Sequence, residues 1–145
     1  MDRQLPVIAA LAARLAESRR PVPADAIVAL ETTGLAHDHF RLGDTGLLAR
    51  VPKQSQLGLD PAANLAYQAA CFRRAAPGGH VPRLDGVFEP GADLPLGALL
   101  VEHIDGVPLA LPDGLRALAG DADRLRRPSR QFPAERDRPG RAGRP

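Results

Sequence analysis

Residues 43–46, with the sequence GDTG, constrain the fold more than any other stretch of the chain. A short turn of this composition between two runs with strand character predicts a β-hairpin. The run before the turn covers residues 39–42, and the run after it covers residues 46–51. A further strand is expected over residues 26–32, where Ile27 and Val28 are β-branched. This half of the chain therefore predicts antiparallel pairing.

Two helices are predicted from the spacing of apolar residues. The first covers residues 4–18, and RRPVP ends it, because proline disfavours helix at its own position and just before it. Its apolar face consists of Leu5, Ile8, Leu11, Ala12 and Leu15. The second helix covers residues 61–76, with Asp60 as its N-cap and a proline in its first turn. PGG at residues 77–79 ends this second helix.

Two more strands are expected, one within residues 80–91 and a strongly apolar one over residues 96–104. A linker and the start of another helix, from Asp113, follow. The fold class predicted is α+β, with a mostly antiparallel five-stranded sheet, one packed helix and an amino-terminal helix. We expect three parts: a helix and linker over residues 1–24, a lobe over 25–120 and a tail over 121–145.

Charge is distributed unevenly along the chain, and this excludes one class of function for the lobe. The formal net charge is +2, but residues 121–145 contain 8 arginines and 4 acids, which leaves 11 basic and 13 acidic residues before them. Nucleic-acid binding is therefore not expected. The tail has too little apolar area to offset backbone ordering, and we expect disorder from about residue 125.

Cellular location and metal binding are constrained by what the sequence lacks. Cys71 is the single cysteine, which fits a reducing, cytoplasmic compartment. No apolar run is long enough to predict a membrane span. No His, Cys or acidic residues have convincing metal-ligand spacing. The four histidines His37, His39, His80 and His103 are assigned no chemistry.

Three stretches in order, LLARVPK, GGHVPRL and ALLVEHIDGVP, resemble the aminoglycoside phosphotransferase and choline-kinase-like family. The resemblance covers roughly residues 25–120. It implies a protein-kinase-like amino-terminal lobe: three strands, a helix, two strands and a hinge. In such a lobe the loop between the first two strands covers the nucleotide phosphates, and a cation from the third strand contacts them.

The resemblance assigns particular residues to the nucleotide phosphates. The covering loop would be residues 32–38, including Thr33 and Gly34, although an ordinary hairpin turn remains the alternative because only one glycine is present. Arg50 would be the phosphate cation, the alternative being an edge arginine whose head stays in water. Lys53 follows Pro52 and is expected to be solvated.

Further family positions fall on the second helix and on the hinge. Gln68 stands where the family has a glutamate that pairs with the cation, and glutamine supplies no charge. Glu102, His103 and Ile104 would offer backbone groups to an adenine edge, and Gly106 would form the turn out of the lobe.

Phosphoryl transfer also needs a base for the acceptor and carboxylates that hold Mg²⁺. The family supplies these from a second lobe with a His-Gly-Asp…Asn loop, and no histidine of this chain precedes Gly-Asp. We therefore expect a truncated ATP-dependent small-molecule phosphotransferase that is inactive alone, binds ATP weakly or not at all, and holds no Mg²⁺ by itself. The alternatives are a non-catalytic nucleotide-binding or regulatory module, and an unrelated α+β protein whose basic tail binds acidic partners.

Overall fold

The structure is a computed structural model, and it describes residues 4–31, 35–55 and 57–106. A five-stranded sheet with the order β1-β2-β3-β5-β4 forms its centre, and all neighbouring strands are antiparallel. The strands are β1 (Ile27–Ala29), β2 (His37–Leu42), β3 (Leu47–Pro52), β4 (Leu84–Phe88) and β5 (Ala98–Glu102). The predicted α+β class and the five-stranded antiparallel sheet are confirmed. The helix expected from Asp113 and the expected disorder of the tail lie outside the described residues.

The hairpin predicted from GDTG joins β2 to β3. Gly43 and Gly46 have φ values of +52° and +70°, a region that glycine enters without steric cost. The backbone N–H of Thr45 donates to the carbonyl of Leu42 at 3.2 Å and closes the turn. The register that follows places His39 directly opposite Arg50.

Two helices cover opposite faces of the sheet. Helix α1 (Gln4–Glu17) packs on one face, where Leu11 and Leu15 join a core that includes Phe40 and Ala49. Helix α2 (Pro61–Ala75) packs on the other face, over a smaller cluster of Leu65, Ala69, Leu99 and Val101. Side chains alternate along β3: Leu47, Ala49 and Val51 are buried, and Leu48 and Arg50 are half-buried. Arg50 therefore lies on the α2 face.

Helix α2 begins as its sequence predicts. The Asp60 carboxylate accepts a hydrogen bond from the N–H of Ala63 at 2.9 Å, which satisfies one of the donors left open at a helix start. Pro61 occupies the first turn, where its missing N–H costs nothing.

Both edges of the sheet are irregular. Strand β1 has only three residues. Strand β4 has a bulge between Leu84 and Gly86, and its Asp85 forms ion pairs with Arg20 and with Arg83. On the α1 side, Arg14 Nε donates to Asp93 Oδ2 at 2.9 Å and ties the helix to the β4–β5 connection. Neither described helix has the length and apolar content that crossing a bilayer requires.

Candidate functional site

The α2 face of the sheet is only partly filled by the helix. Apolar packing beneath α2 involves β5 and adjoining parts of β3 and β4. The β2 part of the face instead carries His37 and His39, whose ring centroids lie 6.4 Å apart. Because His39 is paired with Arg50 in the register, three groups that can carry positive charge lie side by side.

Arg50 is half-buried at the centre of this group. Its Nη2 donates to His37 Nδ1 at 3.2 Å, and its guanidinium carbon lies 5.8 Å from the ring centroid of Phe72. Its Nε is buried and has no hydrogen-bond partner among the described residues. Burial lowers the pKa of Arg50, but a guanidinium stays protonated in proteins. Arg50 is therefore a partly desolvated cation with one donor unused.

His37 connects Arg50 to α2. Its Nε2 lies 2.8 Å from Gln68 Oε1, an atom that can only accept a hydrogen bond. Nε2 must therefore carry the proton, and Nδ1 must accept from Arg50. Gln68, which was expected beside Arg50, reaches it through the neutral imidazole of His37. His37, which was assigned no chemistry from the sequence, thus lies between Arg50 and Gln68 and contacts both.

Lys53 differs from expectation in one respect. It lies beyond the end of β3, as predicted, but it is not simply solvated: its Nζ lies 3.1 Å from Asp38 Oδ1, and 30% of the side chain is exposed. Its backbone N–H donates to the carbonyl of Ala36 at 2.8 Å. The ion pair compensates Lys53, whereas Arg50 has no carboxylate partner in the described part of the chain.

Two cavities adjoin Arg50 and Phe72. One, of about 200 Å³, lies between α2 and the segment after β3 and is lined by residues that include His37, Asn64 and Gln68. Asn64 is the one buried polar residue recorded in the described part, with 4% exposure.

The other cavity, of about 370 Å³, lies against the ends of β1 and β5. Its lining includes Leu30, Glu31, His39, Leu48, Arg50, Val101, Glu102, His103 and Ile104. Arg50, Glu102 and Ile104 thus line one cavity, and Gln68 lines the neighbouring one. Thr33 and Gly34 fall outside the described residues.

Burial and mutual repulsion keep the histidines neutral. Burial is the main cause that lowers the pKa of His37, and the positive charge of Arg50 lowers it further, whereas the hydrogen bond that His37 donates to Gln68 raises it. Burial, Arg50 and His37 together lower the pKa of His39. At neutral pH the positive charge of this cluster is therefore carried by Arg50. Within residues 4–31, 35–55 and 57–106, no group of three or more His, Cys, Asp or Glu side chains could hold a metal ion.

The two histidines are the site residues that sequence reasoning missed. A signal for them existed, because His37 and His39 are two residues apart on a strand and so share a face. Counting outward from the turn at residues 43–46 also pairs residue 39 with residue 50, as observed.

Compared with known proteins, the chain matches no protein-family model and shows no significant similarity to a curated protein. The geometry around Arg50 is therefore the feature of the described residues that bears on function.

Proposed function

We propose that the lobe predicted over residues 25–120 binds a nucleoside triphosphate, as the nucleotide lobe of an ATP-dependent small-molecule phosphotransferase. The observation that carries the proposal is the cavity of about 370 Å³, which is lined both by Arg50 and by the residues that follow β5. A volume of this size suits part of a nucleotide and matches the lower end of ligand pockets.

The base would lie between apolar walls at the β5 end of the cavity. Leu30, Leu48 and Val101 supply these walls. The N–H groups of Glu102 and His103 already donate to the carbonyls of Arg83 and Gly46, at 2.9 and 2.8 Å.

An N–H donated to the base edge would therefore come from Ile104. The N–H of Ile104 has no hydrogen-bond partner within the described residues, and the residue is 60% exposed. Of the three hinge residues expected to meet the base, we assign this contact to Ile104 alone.

The phosphates would lie against Arg50. A guanidinium is suited to phosphate oxygens because its donors lie in one plane and its charge is permanent. The unused Nε and the lack of a carboxylate partner within the described residues leave this charge uncompensated. Lys53 is a poorer candidate, because Asp38 already neutralises it.

The order of elements also supports the proposal. Three strands, a helix and two strands lead to residues 102–104, the first of which ends β5, as the resemblance to the phosphotransferase family implies. The chain has no His-Gly-Asp sequence, so we propose that this lobe binds the nucleotide without transferring phosphate by itself. The nucleotide would remain partly in water, and we expect a dissociation constant of about 1 mM.

The test is an NMR titration of the full chain with ATP, adenosine and tripolyphosphate. Arg50→Ala and Lys53→Ala form a matched pair, since each removes one positive charge from β3 or its end. Arg50→Ala should weaken ATP binding by about tenfold, the effect of one charge-assisted contact. Lys53→Ala should change it by less than about twofold, because only a screened charge is lost. Equal losses, or shifts confined to residues 121–145, would refute the proposal.

A further inference from the structure

We propose that His39 and Arg50 form an oxyanion-binding pair in which His39 takes up a proton when the anion binds, so that binding tightens as the pH falls. The inference rests on the nucleotide site proposed above and deepens it by adding a second phosphate-binding residue and a pH dependence.

The geometry places the two groups around one space. His39 and Arg50 are direct cross-strand partners, and both line the cavity of about 370 Å³. The Cβ atoms of such partners lie about 4.5–5.5 Å apart, so one oxyanion can contact both side chains. The imidazole of His39 has no hydrogen bond within the described residues, and Nε of Arg50 is buried without a partner.

His37 cannot take this role, because both of its ring nitrogens are already engaged. Protonation of Nδ1 would replace its hydrogen bond from Arg50 with an N–H directed at the guanidinium, beside a like charge. Neutral His37 therefore fixes Arg50, with Gln68 fixing His37 in turn at 2.8 Å. The two histidines have separate roles: His37 positions the arginine, and His39 responds to the anion.

The charges nearest His39 on β2 and β3 favour its neutral form when no anion is bound. Burial is the main cause that lowers the pKa of His39, and Arg50 and His37 lower it further. Asp38 raises it and Lys53 lowers it, and these two form an ion pair with each other.

Three titratable residues from other elements line the same cavity. Glu31 follows β1, Glu102 ends β5 and His103 follows it. Glu102 Oε2 accepts a hydrogen bond from the backbone N–H of Arg83 at 3.2 Å. The register places neither carboxylate opposite His39, where Arg50 lies instead.

An anion bound between His39 and Arg50 favours the protonated form of His39 instead of the neutral form. Its negative charge offsets the repulsion from Arg50 and favours the imidazolium, so the pKa of His39 rises on binding. By linkage, the affinity for the anion then increases by up to about tenfold for each pH unit between the free and bound pKa values of His39.

The experiment uses the full chain and sulfate, whose own charge does not change over the range in which histidine titrates. Histidine Cε1–H resonances report each pKa with and without sulfate, and sulfate titrations at about pH 8 and about pH 6 report affinity. We expect sulfate to raise the pKa of His39 and to bind at least about threefold more tightly at the lower pH.

Variants isolate the group responsible. His39→Gln should remove most of the pH dependence and keep the affinity seen at high pH, whereas His80→Gln, at an exposed position after α2, should behave as the wild type. An unchanged pKa of His39 in the presence of sulfate would overturn the proposal. So would a pH dependence that persists undiminished in His39→Gln.

The same titrations separate this inference from the nucleotide proposal. If sulfate shifts His39 but ATP binds no better than tripolyphosphate, the nucleotide assignment fails and the anion pair stands. If ATP binds through its base without any change in the pKa of His39, the pair is refuted and the nucleotide site stands.

Discussion

Gly97 is the residue at which a single added methyl group should damage the fold most. It lies immediately before β5, it is buried, and its φ is +66°. A Cβ at this position would lie 2.5 Å from the carbonyl oxygen of Phe88 and 2.8 Å from Leu65 Cδ2. The leucine can move, but the carbonyl belongs to the backbone of β4. Gly97→Ala should therefore displace the strand that leads to Ile104.

The loss in free energy of unfolding expected for Gly97→Ala has two contributions. An alanine forced to a positive φ costs about 1–2 kcal/mol. The overlap with the backbone adds about 1–3 kcal/mol, as in other overpacked interiors. Gly97→Ala should thus lower the free energy of unfolding by about 2–5 kcal/mol, and each kcal/mol corresponds to about 4–8 °C in Tm for a domain of this size.

Gly79→Ala is the matched control. Gly79 has φ +70°, but a Cβ there would meet no atom within 4 Å. Only the conformational cost of about 1–2 kcal/mol should remain. Urea unfolding followed by circular dichroism measures both variants against the wild type. Equal losses for the two substitutions would refute the argument that contact with β4, rather than φ alone, makes glycine necessary at position 97.

Two further predictions concern polar groups outside the two cavities that adjoin Arg50. Asp60→Ala removes the cap hydrogen bond to Ala63 and should lower stability by about 1 kcal/mol in urea unfolding, a value near zero contradicting the role of the cap. The hydrogen bond from Arg14, together with its positive charge, lowers the pKa of Asp93 from 3.8 to about 2. The ionised carboxylate therefore stabilises the fold at pH values above 3.8, and this stabilisation is lost as the pH falls toward about 2. Thermal melts from about pH 5 to about pH 2 should therefore show a smaller loss for Asp93→Asn than for the wild type, and parallel curves would contradict this.

Local signals were sufficient to predict most of the architecture. The turn at residues 43–46, the cap at Asp60 and the apolar spacing of α1 each act over a few residues, and each is confirmed except at Leu5, which was expected on the apolar face of α1 but is 67% exposed. Strand ends were less well predicted, because β1 spans Ile27–Ala29 where residues 26–32 were expected. Its length depends on pairing with β2, which composition does not report.

The candidate site could likewise be predicted from the sequence only in part. His39 and Arg50 belong to one hairpin, so their pairing can be counted from its turn. The hydrogen bond from the His103 N–H to the Gly46 carbonyl depends instead on the register between β3 and β5. These strands are separated by a helix and another strand, so no turn exists from which that register could be counted. The sequence therefore predicted the strand that leads to residues 102–104, but it could not show that the N–H of Ile104, unlike those of Glu102 and His103, has no hydrogen-bond partner within the described residues.

The irregular edges of the sheet have a consequence for how separate molecules meet. An incoming strand from a second copy needs a long, flat row of unpaired backbone groups as a template. Strand β1 offers three residues, and β4 is bent by its bulge and carries the paired charge of Asp85. Neither edge is a good template for intermolecular strand addition. Concentrated solutions of the kind needed to measure millimolar ligands should therefore remain free of sheet-mediated aggregation.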